Sequence, residues 1–194
     1  MLQKASFLRV FLFLVILVSN LFSLQKEEIV DKMTEKIDNV LAVLKNQDID
    51  LEQKKNEIIN IVNDVFDFEL MAKIALGKDA WNSISKEEQL DFTKTFEEKL
   101  KKSYSDKLGL YNNQNVKIIS LDPYNKTRLQ LKTELLGKEG SYSINYNFYE
   151  KNGEWFIYDI DLVGVSIIQT YRQQFTGLLK EKSFSEMLAL FKNQ

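Results

Sequence analysis

The sequence of 194 residues is 44% hydrophobic and 28% charged, with a formal net charge of −2. This length suits one domain with a real core. Nucleic acid is not an expected partner, because the lysines alternate with glutamates and form no basic stripe. The sequence contains neither cysteine nor histidine. It therefore lacks the commonest zinc ligands and every Ser-His or Cys-His nucleophile, and we expect no metal site, no cofactor and no catalytic residue.

The first 24 residues have the order of a secretory signal peptide. Lys4 and Arg9 precede nine uninterrupted apolar residues, Val10 to Val18, and a more polar stretch follows. A membrane-spanning helix would need about 20 apolar residues, so an uncleaved anchor is the weaker alternative. We predict a signal peptide over 1–24, cleaved near Ser23, and a single soluble exported domain over 25–194.

The mature chain begins with amphipathic helices and ends with two more. Apolar residues at spacings of three and four predict the first helix, and capping boxes mark the start of several others. The expected helices are 26–45, one opening at Asp50 with Gln53, one from Asp67 to near Gly77, one from Ser85 with Glu88 to Gly109, one opening at Ser166 with Gln169, and one opening at Ser183 with Glu186.

Between these helices the hydrophobic period changes to two. Four strands are predicted, over 116–121, 128–136, 141–149 and 155–163. Asn152-Gly153 joins the last two as a hairpin, because both residues accept positive φ. The fold class is therefore α+β, with amphipathic helices packed on a twisted antiparallel sheet of about four strands.

Alternation within the last two strands predicts a broad apolar face. Side chains in the third strand and side chains in the fourth should each share one side of the sheet, and helices should cover them. The residues are Tyr142, Ile144, Tyr146 and Phe148, followed by Phe156, Tyr158, Ile160 and Leu162. Periodicity does not distinguish a filled core from a hollow one, so both interpretations stay open here.

Catalytic chemistry finds little support in the polar residues. Ser166 begins like a nucleophile elbow, but Ile168 stands where that motif requires glycine, so Ser166 is interpreted as a helix cap. Asp67, Asp159 and Asp161 are candidate general bases for a small-molecule enzyme with an apolar pocket. Asp67 is equally well placed to cap a helix.

Arg172 lies on an otherwise apolar helix face. A buried arginine needs a partner of opposite charge, and Asp159 is a carboxylate suited to that role. We expect an ion pair between them rather than contact of Arg172 with a ligand.

Two blocks of sequence carry a family resemblance. The first is Phe66-Asp67-Phe68-Glu69-Leu70-Met71-Ala72, Leu76-Gly77, Trp81 and Glu88-Gln89 ahead of Phe92, Phe96 and Tyr104. The second is Trp155-Phe156-Ile157-Tyr158-Asp159, Gly164-Val165-Ser166, Tyr171-Arg172 and Phe175. In order and spacing they resemble the MlaC family, also called the toluene-tolerance family.

The resemblance implies a periplasmic phospholipid-binding carrier that is not an enzyme. Such a protein moves phospholipid, its bound cargo, between an outer-membrane lipoprotein-porin complex and an inner-membrane ABC transporter with its lipid-binding subunit, which maintains outer-membrane lipid asymmetry. About 30 methylenes of a diacyl lipid, at about 0.8 kcal/mol each, oppose exposure of its tails to water. An enclosed apolar cavity is therefore required.

We expect that cavity between the concave face of the sheet and the helices that carry Phe96 and Tyr171. Headgroups should stay near its mouth, because charged groups are costly to bury and no basic cluster stands inside. The rival hypotheses are the apolar-pocket enzyme and a periplasmic adaptor with a filled core and no ligand. The side chains predicted to contact lipid are Met71, Ile74, Phe92, Phe96, Leu100, Tyr104, Ile144, Tyr146, Phe148, Phe156, Tyr158, Ile160, Tyr171 and Phe175.

Overall fold

A computed structural model of the protein describes residues 24–138 and 140–193. The predicted signal peptide and its cleavage near Ser23 lie outside the described residues, apart from Leu24 at the edge. Both remain predictions. Within the described part of the chain, no helix combines the length and apolar composition needed to cross a bilayer.

Within residues 24–138 and 140–193, five α-helices precede the sheet and two follow it. They are α1 (Ile29–Lys45), α2 (Leu51–Val62), α3 (Phe68–Leu76), α4 (Lys78–Ser83), α5 (Lys86–Ser105), α6 (Ile167–Leu178) and α7 (Phe184–Asn193). The predicted capping boxes at Asp50 and Ser85 are both formed, since each side chain accepts a hydrogen bond from the third residue of its helix. Helix α5 ends at Ser105, four residues before the expected stop at Gly109, and a short 3-10 turn (Leu108–Leu110) follows.

The sheet is an antiparallel meander in which each strand pairs with the next in sequence. Its strands are β1 (Asn115–Asn125), β2 (Arg128–Gly137), β3 (Gly140–Lys151), β4 (Glu154–Leu162) and the two-residue β5 (Val165–Ser166). The α+β class and the antiparallel sheet are as predicted, with β5 added at one edge. The hairpin at Asn152-Gly153 is also confirmed, since φ is 58° and 86° at its two residues.

A β-bulge in β4 corrects the predicted faces of that strand. Asn147 pairs with Asp159, but Phe148 pairs with Ile157, so Tyr158 is an extra residue without a partner in the ladder. An extra residue reverses the alternation beyond it. Ile160 therefore shares its face with Ile157. The prediction that Phe156, Tyr158, Ile160 and Leu162 share one face is wrong for Phe156 and Tyr158.

Most of the buried apolar side chains in the described part of the chain form two clusters. The helical core joins α3, α5, α6 and α7, and five phenylalanine and methionine side chains at its centre are fully buried: Met71, Phe92, Phe96, Phe175 and Met187. The sheet core joins α1 to β2, β3 and β4 through Ile29, Met33, Leu131, Phe148 and Ile157. Among the described residues, only Phe66 and Ile160 pack against both clusters. We call the region between the clusters the seam.

The predicted ion pair between Arg172 and Asp159 is wrong. The Arg172 guanidinium donates a hydrogen bond to the backbone carbonyl of Ile74 at 3.1 Å, near the end of α3. The last carbonyls of a helix lack partners within the helix, so a cation there is favourable. Asp159 accepts from the hydroxyl of Ser166 at 2.6 Å and the backbone N–H of Ile168 at 3.1 Å.

Gly77 allows this approach of Arg172 to α3. Its φ is +94°, and a Cβ atom there would lie 2.9 Å from the guanidinium carbon of Arg172. We expect Gly77→Ala to lower the free energy of unfolding by about 1–3 kcal/mol, through backbone strain and displacement of Arg172. Chemical denaturation measures this change. An unchanged stability would show that neither the backbone conformation nor the contact matters.

Gly177→Ala is the matched control. Gly177 lies within α6, and an added Cβ would meet no atom within 4 Å. This change is expected to stabilise the protein by about 0.4–1 kcal/mol, because alanine loses less backbone entropy on folding.

Candidate functional site: an apolar cavity at the seam

A cavity of about 150 Å³ lies at the seam between the two cores. Ten of its lining side chains are apolar, and these come from α2, α3, α5, α6, β4 and the loops beside them. They are Ile58, Ile59, Val62, Phe66, Phe68, Met71, Leu100, Leu108, Ile160 and Ile167, and the polar lining residues are Asn63, Lys101, Tyr104 and Ser105. A site of this character is suited to binding apolar groups.

Apolar side chains spaced four residues apart on α5 contribute to both the helical core and the cavity. Phe92 and Phe96 point from its first half into the helical core, whereas Leu100 and Tyr104 continue the same row into the cavity wall. Burial raises the pKa of Tyr104 to about 12, so its hydroxyl stays neutral at physiological pH. Leu108 extends this wall beyond the end of the helix.

Helix α2 forms the opposite wall with three aliphatic side chains. Of these, Ile58 is buried, while Ile59 and Val62 are half-buried. Polar contacts hold α2 at its surface: Lys55 pairs with Asp106 at 2.9 Å, and Lys54 donates to the backbone carbonyl of Leu44. Neither of the two buried clusters includes a side chain of α2.

Four of the fourteen side chains predicted to contact lipid line this cavity: Met71, Leu100, Tyr104 and Ile160. Phe92, Phe96, Tyr171 and Phe175 pack instead on one another and on Phe191 in the helical core, where the Phe175 and Phe191 ring centroids are 5.0 Å apart. Ile74 packs against the same cluster.

The predicted sheet residues divide by face and by burial. Ile144, Tyr146 and Phe148 share the face that the helices cover. Phe148 is fully buried, but Ile144 and Tyr146 are only half-buried. Burial nonetheless raises the pKa of the Tyr146 hydroxyl to about 12. None of these three side chains is among the residues that line the cavity.

Phe156 precedes the bulge in β4, and Tyr158 is the bulged residue itself. Phe156 pairs with Tyr149, on the face opposite Ile157. The guanidinium of Arg128 lies 5.2 Å from the centre of the Tyr158 ring. Neither side chain belongs to the lining of the cavity, and their predicted contact with lipid lacks a geometric basis in this cavity.

Sequence reasoning missed the wall formed by α2, together with Phe66, Phe68, Leu108, Ile167 and Lys101. The signal for α2 was present in its amphipathic pattern, which was recognised. An apolar helix face indicates that it packs against something, but not which element it meets or whether space remains between them.

A charged residue, Lys101, borders the cavity. Its side chain is 25% exposed, and its ammonium group pairs with Glu97 one turn earlier. The same ammonium lies 4.8 Å from the centre of the Phe68 ring, an arrangement favourable for a cation and an aromatic face. Among the cavity-lining residues that the structure describes, Lys101 alone carries a charge.

The three carboxylates considered as general bases instead accept hydrogen bonds from backbone N–H groups. Asp67 caps α3 through the N–H of Leu70 at 2.9 Å and pairs with Lys151, and Asp161 accepts from the N–H of Gly164. Burial raises the pKa of Asp159 despite its hydrogen bonds. None of the three lines the cavity. Over 24–138 and 140–193, no cluster of three carboxylates is arranged to hold a metal ion.

The comparisons with known proteins agree with this geometry. The sequence profile of the family described as MlaC protein matches residues 34–193. The chain belongs to the MlaC family. Every residue that lines the cavity falls inside the matched range.

Two relatives extend the comparison of this MlaC family member. The intermembrane phospholipid transport system binding protein MlaC of Haemophilus influenzae is 24% identical over 165 residues, which cover 80% of this chain and 77% of that protein. A phospholipid-binding protein from Ralstonia solanacearum, solved with a phospholipid at 1.53 Å, superimposes with a TM-score of 0.73. It is 21% identical, and the match covers 84% of this chain and 94% of that one. This chain thus shares its fold with the Ralstonia protein.

Proposed function

We propose that this protein is a periplasmic carrier that binds phospholipid and transfers it between the two membranes of the cell envelope. The observation that carries this proposal is the apolar cavity at the seam, in a chain whose family includes an intermembrane phospholipid transport protein. A carrier makes and breaks no covalent bond, so no side chain is assigned a catalytic role.

The cavity volume sets a condition on this proposal. A cavity of about 150 Å³ accommodates a ligand the size of benzene, whereas two acyl chains carry about 30 methylenes. The walls must therefore separate when lipid enters. We propose that α2 moves, because Ile58 is its one buried side chain and exposing that side chain costs about 1.5–3 kcal/mol.

The location and the partners follow from the same proposal. Residues 1–24 act as a cleaved signal peptide, and 25–194 act as one lipid-binding domain in the periplasm. Phospholipid arrives from or leaves to an outer-membrane lipoprotein-porin complex and an inner-membrane ABC transporter with a lipid-binding subunit. The energy for directional transport comes from the transporter, because a passive carrier only equilibrates with its membranes.

Lipid extraction of the purified protein tests the proposal. The full precursor is expressed, the periplasmic fraction is isolated, and the purified protein is measured by intact-mass spectrometry before and after organic extraction. We expect a mass that lacks about the first 24 residues, as a cleaved signal peptide requires, and phospholipid in the extract. A precursor retained in the membrane would overturn the localisation, and lipid-free protein that takes up none from vesicles would overturn the carrier function.

A further inference from the structure

We propose that Lys101 binds the phosphate of the phospholipid cargo at the mouth of the cavity. This inference rests on the proposed carrier function and adds a specific headgroup contact to it. The chemical class of the ligand is a phosphodiester attached to two acyl chains that occupy the apolar space behind it.

The position of Lys101 connects solvent with the apolar interior. Its side chain lines the cavity beside Phe68 and Leu100 while a quarter of its surface remains exposed. The lining surface is almost entirely apolar, so the aliphatic stem of Lys101 borders the cavity and its ammonium group lies toward the outside, as do the polar groups of Ser105 and the exposed Asn63. A lipid with its tails inside would place its phosphate at this boundary, because a charged phosphate is costly to bury.

A purely structural role does not explain this placement. Helix α5 carries two other pairs at the same spacing, Lys94 with Glu98 and Lys102 with Asp106, and all four of those side chains are at least 46% exposed. Ion pairs that are exposed to solvent in this way stabilise a helix while their charged groups stay hydrated. The pair of Glu97 with Lys101 is the least exposed of the three and the only one on the cavity wall.

The surroundings of the ammonium group allow an exchange of anions. Glu97 and the face of Phe68 hold the cation when no phosphate is present. Lysine carries its charge on a flexible stem with three donors, so it can donate to a phosphate oxygen and move away from Glu97. A charge-assisted hydrogen bond at a partly desolvated site contributes more than a solvent-exposed one.

Competition between two lipids tests the proposal. Delipidated protein is offered phosphatidylglycerol and diacylglycerol with identical acyl chains, and the bound ratio is measured by mass spectrometry. Lys101→Met keeps the aliphatic stem and removes the charge. We expect it to lower the preference for phosphatidylglycerol by about tenfold, the scale of one charge-assisted hydrogen bond, with diacylglycerol binding unchanged.

Lys102→Met is the matched control, since Lys102 neighbours Lys101 but does not line the cavity. It should leave the ratio unchanged. Glu97→Gln should raise the preference for phosphatidylglycerol, because it removes the competing carboxylate. If Lys101→Met and Lys102→Met gave the same ratio as the unaltered protein, the proposal would be wrong while the carrier function stood. If no variant bound either lipid, the carrier function itself would fail.

A measurement with inorganic phosphate distinguishes a site for the lipid headgroup from a site for a free anion. Phosphate alone should not raise the melting temperature of the delipidated protein, because without tails it gains too little to displace Glu97. A stabilisation by inorganic phosphate that disappears in Lys101→Met would assign the site to a free anion and overturn the headgroup assignment.

Discussion

Replacing Ile160 by tryptophan is expected to reduce bound phospholipid several-fold while the protein still folds. Ile160 is half-buried, lines the cavity and lies where both cores meet. The larger side chain can enter unfilled space that acyl chains would otherwise use, so the folded protein gains contacts as it loses capacity. Lipid per protein, by mass spectrometry, and the melting temperature are measured on the same preparation.

Ile157→Trp is the control from the same strand and the same face. Ile157 is fully buried in the sheet core, where no space remains for added atoms. Overpacking there should cost about 1–3 kcal/mol of stability. If Ile160→Trp lost as much stability as Ile157→Trp and the unaltered protein carried no lipid, the cavity would be an ordinary filled core and the adaptor hypothesis would gain support.

Joining α2 covalently to Asp106, the residue that follows α5, is expected to slow lipid uptake. The sequence has no cysteine, so Lys55→Cys with Asp106→Cys creates a unique pair where the native side chains form an ion pair at 2.9 Å. A short bis-maleimide linker then holds α2 against the cavity. We expect delipidated, cross-linked protein to acquire lipid from vesicles at least about tenfold more slowly, because lid opening commonly sets the rate of ligand entry.

A second cross-linked pair separates this effect from general rigidity. Asp91 of α5 and Lys192 of α7 also form an ion pair, at 2.7 Å, but both helices belong to the filled helical core. The same linker between cysteines at these positions should leave uptake unchanged. Equal uptake by both cross-linked proteins would contradict the displacement of α2.

The local features of the fold were predictable because the residues that encode them are adjacent in sequence. Asp50 with Gln53 and Ser85 with Glu88 form their capping boxes within four residues, and Asn152-Gly153 sets its own turn. The strands followed from an alternation visible over a few residues. Each of these signals acts at short range, so it needs no knowledge of tertiary contacts.

The cavity was only partly predictable, since it depends on how distant elements meet. Phe96 and Leu100 share one helical row, yet the first is enclosed by aromatic rings and the second borders open space. For the same reason, the sequence did not reveal that Arg172 donates a hydrogen bond to the carbonyl of Ile74 rather than pairing with a carboxylate. Periodicity determines which side of an element is apolar, but the packing of other elements decides whether that side is filled.

The bulge at Tyr158 divides β4 into two segments, and the alternation of side chains changes phase between them. On one side of it Trp155 and Ile157 face the sheet core, and on the other Ile160 faces the seam. Deleting Tyr158 would therefore remove the bulge, because Ile157 and Asp159 would then be neighbours opposite Phe148 and Asn147 in an unbroken ladder. Trp155, Ile157 and Ile160 would keep their common face, and the strand would lose only the local bend and added twist of the bulge. An insertion elsewhere in β4 would instead turn one of its two segments over, so a shorter strand is easier to accommodate here than a longer one.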